Sequence, residues 1–78
     1  MFYTYVLRCN DDALYIGSAR NLKQRMRQHT ASQVQATAYR LPVSLVYYEA
    51  CLSEHKARER EKQLKTGFGR AYLKRRLS

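Results

Sequence analysis

The sequence predicts an α/β domain, a small three-stranded antiparallel sheet flanked by helices in the order β-β-α-β-α-α. Three observations carry that prediction. The stretches "FYTYVLRC", "ALYIG" and "VSLVYYEA" are rich in aromatic and β-branched residues and are bounded by turn chemistry. The segments "LKQRMRQHTA" and "EHKAREREKQLK" each follow a capping residue and carry apolar positions at helical spacing. Finally, 78 residues are read as a single domain, 1–78. A chain of that length buries only ~60–65% of its unfolded surface, so short layers are expected and a deep substrate cavity is not.

Each element follows in order. Residues 2–9 form the first strand, "NDD" at 10–12 a turn, and residues 13–17 the return strand of a hairpin. A three-residue loop sets Cys9 opposite Ala13 and Leu7 opposite Tyr15, with Tyr5 diagonal to Tyr15 on the same face. Asn21 is an N-cap with Gln24 as its capping-box partner, opening a helix over 22–31. Residues 31–42 are polar and irregular and end at Pro42, and residues 43–50 form the third strand. Ser53 caps a helix over 54–65, which "TGFG" terminates with a glycine after its last turn. Residues 70–77 close the chain as a short helix. Tyr47 and Tyr48 read as core rings of the sheet.

Fifteen Lys and Arg oppose six Asp and Glu, for a net charge of +9 and a pI near 10.0. That balance in a small domain points to a polyanion: DNA, RNA, or less often an anionic membrane surface. No run approaches the ~20 apolar residues of a membrane span. The start "MFYTYVLRCN" does not read as a signal peptide. The two cysteines, Cys9 and Cys51, read as small buried hydrophobes in a reducing cytoplasm, each at a strand end and so candidate neighbours. Without a Cys-x-x-Cys or a His pair, a metal site built on them is not expected.

Helical geometry singles out three polar residues. With Leu22 at zero and about 100° per residue, Met26 falls near 40°, His29 near 340° and Arg25 near 300°. Arg25 and His29 therefore flank the apolar stripe, while Arg20, Lys23 and Arg27 gather on a solvated side. An arginine beside a buried stripe needs an anion, since burying an unpaired charge is costly. On the second helix, with Ala57 at zero, Leu64 falls near 340° and Glu61 near 40°, a carboxylate aimed at the sheet. Two readings of Glu61 stand at this point. It is either a buried salt bridge to Arg25 or a divalent-metal ligand beside a phosphate-binding arginine. His29 likewise reads as a packing or capping residue, or as an aid to proton transfer.

Taken together, "YIG" at 15–17, Arg25 ten residues after Tyr15, His29 four further on, and a helical Glu61 beyond a third strand resemble the GIY-YIG nuclease superfamily. The stretch over 57–77 is similar to the C-terminal half of its small single-domain members, which resemble the N-terminal domain of the excision-repair incision subunit. The resemblance implies these roles: Tyr5 and Tyr15 as the tyrosines of the two motifs, Arg25 as the catalytic arginine, His29 as a proton-transfer aid. It implies Gly17 as the motif glycine and Glu61 as the ligand of one Mg²⁺ or Mn²⁺ ion. Two positions depart from the pattern. Tyr3-Thr4-Tyr5 lacks the Gly and Ile that name the family, as small members commonly do. Ser18 stands where some branches carry a lysine, which leaves Arg20 or Lys65 to supply the charge.

The implied function is a metal-dependent endonuclease that nicks or cuts DNA with low sequence specificity, in repair or recombination in the cytoplasm. The rival is a non-catalytic nucleic-acid-binding module that keeps the fold. Tyr5 or Tyr15 is the expected base; a reference pKa near 10 demands help, which the net positive charge and a nearby ion would both give. Arg20, Lys23, Arg27, Arg58, Lys62, Lys65 and Arg70 are candidates for backbone phosphates. No recognition helix or zinc finger is evident, so a homodimer or a protein partner is the expected source of any further specificity.

Overall fold

The computed structural model describes residues 1–78. Its elements are β1 (Phe2–Arg8), β2 (Leu14–Ala19), α1 (Leu22–Thr30), β3 (Ser44–Cys51), α2 (Glu54–Leu64) and α3 (Gly67–Leu77), the predicted order. The sheet is antiparallel, with β1 between β2 and β3. The hairpin register is the expected one: Leu7 faces Tyr15, and the Cys9 amide donates to the Ala13 carbonyl at 2.9 Å. Its turn works because Asp12 takes a left-handed φ of 65°, which aspartate tolerates. The Asp11 carboxylate also accepts from the Ala13 amide at 3.1 Å.

Alternation along β1 divides the molecule into layers. Val6 and its partner Ile16 pack with Leu64 and Leu73 into the main core, joined by half-buried Val46, Tyr47, Tyr72 and Leu77. On the same face the buried Thr4 hydroxyl donates to the Ala57 carbonyl at 2.9 Å, which pins α2 across the central strand. Tyr5 and Leu7 lie on the other face, toward α1. Segment 31–42 is irregular, as expected, but firmly held. Val34 and Thr37 are buried, and Asn10 ties the segment to the hairpin turn through the carbonyls of Arg40 and Leu41, both at 2.9 Å.

Three expectations need correction. Residues 66–69 do not end α2 with a glycine. Lys65 caps that helix in a right-handed conformation, and Thr66 caps the next, its hydroxyl accepting from the Gly69 amide at 3.2 Å. Helix α3 therefore starts at Gly67, three residues before the predicted 70. Cys9 and Cys51 are not neighbours: Cys51 pairs with Phe2 at one end of β1, and Cys9 follows Arg8 at the other. An extended strand of this length separates them by about 20 Å. Tyr48 is 56% exposed rather than a core ring, because adjacent residues on a strand point to opposite faces and Tyr47 takes the core side. The Tyr47 hydroxyl bonds Glu49 at 2.7 Å and Tyr72 at 3.0 Å. Arg60 clamps Glu49 at 3.0 Å, joining β3 to both C-terminal helices. No helix is long and apolar enough to cross a membrane.

The close approach of α3 to α2 passes over Gly69. A Cβ there would lie 2.3 Å from the Gln63 carbonyl oxygen and from the Leu64 Cα, backbone atoms that cannot move aside. Gly67 meets nothing within 4 Å. Gly69→Ala is expected to cost at least 1–3 kcal/mol, by the usual penalty for overpacking, which lowers Tm by about 10 °C for a domain of this size. Gly67→Ala should leave Tm unchanged or raise it slightly. Thermal unfolding followed by circular dichroism checks both.

Candidate active site

The site is organised around the hydroxyl of Tyr5, at the middle of the central strand and wholly buried. Its neighbour across the hairpin is Gly17. A Cβ on that residue would sit 2.7 Å from the Tyr5 hydroxyl, so glycine is what lets the phenol lie flat over β2. The hydroxyl is 2.8 Å from Nε2 of His29, also fully buried. His29 Nδ1 lies 2.8 Å from the Thr37 hydroxyl, whose oxygen is 3.5 Å from the Val34 carbonyl. A Thr37 hydroxyl that donates to Val34 accepts from Nδ1–H, which leaves Nε2 bare to accept from Tyr5. Arg25 Nε approaches the same Tyr5 oxygen at 3.4 Å as a donor, and Arg25 Nη1 bonds Gln28 at 3.1 Å. No buried side-chain polar atom lacks a partner.

Helix α1 supplies Arg25 and His29 because Asn21 starts it at a fixed place, its side chain accepting from the Gln24 amide at 3.0 Å. Both residues turn to the sheet, as the helical angles predict. Tyr15 completes the cluster from β2, half-buried, its ring centroid 6.4 Å from Tyr5 and 5.3 Å from His29. Burial pushes the Tyr5 phenol above its ordinary value, and the hydrogen bond from Arg25 offsets only part of the rise. The expectation that net positive charge would favour a phenolate thus fails at Tyr5, since desolvation outweighs it. Burial, then the Arg25 charge, pushes His29 below its ordinary value and keeps it neutral.

Glu61 comes from α2, on the opposite face of the sheet. It makes no salt bridge with Arg25. Ser18 donates to its Oε1 at 2.8 Å, and Lys65, one turn on, bonds Oε2 at 2.7 Å. Burial raises the Glu61 carboxyl, but the hydrogen bonds from Lys65 and Ser18 outweigh it and hold the group below the ordinary carboxylate range. Tyr15 and Ser18 lie on opposite faces of β2, an edge strand, so Tyr15 and the Ser18–Glu61 pair flank that edge from its two sides. The Glu61 charge is felt at Tyr5, where it adds to the upward push.

Residues 1–76 match the family described as the GIY-YIG catalytic domain. The chain belongs to this family. It is 47% identical over 60 residues to the UPF0213 protein SpyM50708 of Streptococcus pyogenes serotype M5 (strain Manfredo), covering 76% of this chain and 65% of that one. The same figures hold for the UPF0213 protein SPs0786 of Streptococcus pyogenes serotype M3 (strain SSI-1). The chain thus spans 65% of the length of these curated relatives. The solution NMR structure of the UPF0213 protein BH0048 from Bacillus halodurans is similar at TM-score 0.58 and 27% identity, over 94% of this chain and 82% of that one.

The departures from the GIY-YIG pattern now have local roles. Thr4 anchors α2 through its hydroxyl, and Tyr3 faces an open groove beside α1, so neither disturbs Tyr5. Ser18 gives Glu61 a neutral donor where a lysine would give a charge, and Lys65 supplies the charge instead. Among the basic candidates, Arg20 and Lys23 line the groove with Arg25, Arg58 joins Arg20 near Ser18, and Lys65 and Arg70 flank Tyr15. Arg27 and Lys62 are exposed on their helices. Sequence reasoning missed Thr37, the hydrogen-bond partner of His29 Nδ1. It sits in an irregular run between Ala36 and Ala38, with Val34 three residues earlier.

The native value of His29 lies below the reference 6.5 of the unfolded chain, so the folded state binds fewer protons through that range. Its contribution to stability is full above 6.5 and is lost as the pH falls through the native value. Glu61 acts in a lower window, below its reference 4.5. Wild-type Tm should therefore drop between neutral pH and about pH 5, and drop less steeply in His29→Gln. Equal slopes in a pH series of melts would remove His29 as the cause.

Proposed function

We propose that this protein is a divalent-metal-dependent endonuclease that hydrolyses DNA phosphodiester bonds with low sequence specificity. The observation that carries the reading is the convergence on β2 of a permanently charged arginine, a half-buried tyrosine and a lone helical carboxylate. Catalysis of phosphodiester hydrolysis calls for these groups: a clamp on the phosphate, a base for water, and a ligand for a cation.

No three His, Cys, Asp or Glu side chains converge anywhere in the chain. A caged transition-metal site does not fit. One carboxylate with a hydroxyl beside it does suit Mg²⁺ or Mn²⁺, hard ions that Mg²⁺-like chemistry leaves largely hydrated and partly bound to substrate phosphate. Glu61 would hold the ion, which when bound supplies charge to stabilise the developing oxyanion. An ion held there would take the place of Lys65 at Oε2.

The protein's own groups then divide the work. Arg25 clamps the scissile phosphate with fixed, planar donors. Its charge is stabilised first by the hydrogen bond to Tyr5 and further by Tyr15. Acting as a phenolate, the Tyr15 oxygen takes a proton from the attacking water, and the leaving oxygen is protonated by solvent. Tyr5 and His29 are wholly covered and do not meet the water. They are positioning residues, with Tyr5 holding Arg25 and His29 holding Tyr5. In this reading the base is Tyr15, the half-buried one of the two tyrosines that the sequence left open.

The test is cleavage of a labelled panel of plain, nicked, branched and single-stranded DNA with Mg²⁺ or Mn²⁺. Wild type is expected to cut, Glu61→Ala to lose all metal-dependent product, and Tyr15→Phe to lose about 10²–10⁴-fold in rate with binding retained. Binding without cleavage would instead support the non-catalytic module, and full activity in Tyr15→Phe would take its hydroxyl out of the reaction.

A further inference from the structure

We propose that the open groove beside Arg25 binds an unpaired stretch of DNA whose bases stack on the rings of Tyr48 and Tyr3. The inference rests on the reading that the site acts on DNA and adds which form of DNA it takes. The groove has a volume of about 1110 Å³ and runs between α1 and the face of β1 and β3 that the helix leaves open. The register places Tyr48 directly opposite Tyr5, one strand over from the arginine's anchor. A strand held by its phosphate at Arg25 would therefore lay its next nucleotides across this floor.

The floor is aromatic and apolar. The Tyr3 and Tyr48 rings lie 6.1 Å apart and tilted by 58°, with Leu45 beside them, 38% exposed against 56% for Tyr48. An apolar surface left open next to a reactive cluster marks a binding face. Its wall is cationic, with Arg20, Lys23 and Arg25 and no carboxylate among the lining residues. A cationic wall beside an aromatic floor complements a polymer with phosphates along one side and π-faces along the other. In a duplex those faces are already covered by neighbouring base pairs, so only an unpaired strand can use the phenols. A second copy of the chain is the poorer occupant, since each carries a net charge of +9 and would press cations against this wall.

The experiment is fluorescence anisotropy in EDTA with three dye-labelled probes, a short single-stranded DNA, the duplex of the same length, and an RNA of the same sequence. Wild type is expected to bind the DNA single strand more tightly than the other two. Tyr48→Ala should weaken single-strand binding about 5- to 150-fold, the usual worth of one stacked base, and leave duplex binding unchanged. Tyr48→Trp should restore it, which separates a lost stack from a damaged fold. Equal losses on single strand and duplex, no loss at all, or a preference for duplex or RNA would each overturn the proposal. So would sedimentation showing a dimer that Tyr48→Ala dissociates without changing DNA binding. Cleavage is not read, so a protein that stacks single strands through Tyr48 but never cuts would refute the nuclease and leave this proposal standing.

Discussion

The hydroxyl of Tyr5 is the constraint on which the rest of the site depends. It lies 2.8 Å from His29 Nε2 and accepts from Arg25 Nε at 3.4 Å, in the middle of a strand buried on both faces. A polar group placed there must be fully partnered, because an unpaired buried hydroxyl costs about 1–3 kcal/mol. The demand passes outward. A neutral His29 that accepts at Nε2 needs an acceptor at Nδ1, and Thr37 of the irregular segment stands there at 2.8 Å. That in turn explains why a polar, unperiodic stretch is pinned to the hairpin by Asn10. Gly17 belongs to the same chain of needs, since any side chain on it would displace the phenol.

The sheet also separates two tasks. One face carries the tyrosine–histidine–arginine cluster under α1, and the other carries the apolar core and Glu61 under α2. Because β2 is an edge strand, groups on its two faces flank one edge of the sheet without either having to cross the core. The arrangement suits a small domain. The core around Val6, Ile16, Leu64 and Leu73 is buried, while the charged groups sit at the edge of the sheet.

How much of this was legible depends on the range of the interaction. The strands, the hairpin register and the caps at Asn21 and Ser53 are local and read directly. The inward turn of Arg25, His29 and Glu61 follows from helical angles alone, and the structure places all three against the sheet. What Glu61 touches does not follow, because two cations compete for it. Lys65, four residues away on the same helix, reaches it where Arg25 does not. The separation of the cysteines required the strand order, which no local pattern contains. The early start of α3 turned on whether "TGFG" ends one helix or begins another, and the Thr66 cap together with the close approach at Gly69 decides it.

The central claim is the direction of the proton between Tyr5 and His29, and the nitrogen chemical shifts of the His29 ring measure it most directly. Long-range proton–nitrogen NMR at neutral pH should show Nδ1 protonated and Nε2 bare, with titration below the ordinary histidine value, and Tyr5→Phe should disturb both features. A ring protonated at Nε2, or one that titrates like a free histidine and ignores Tyr5→Phe, would contradict the account.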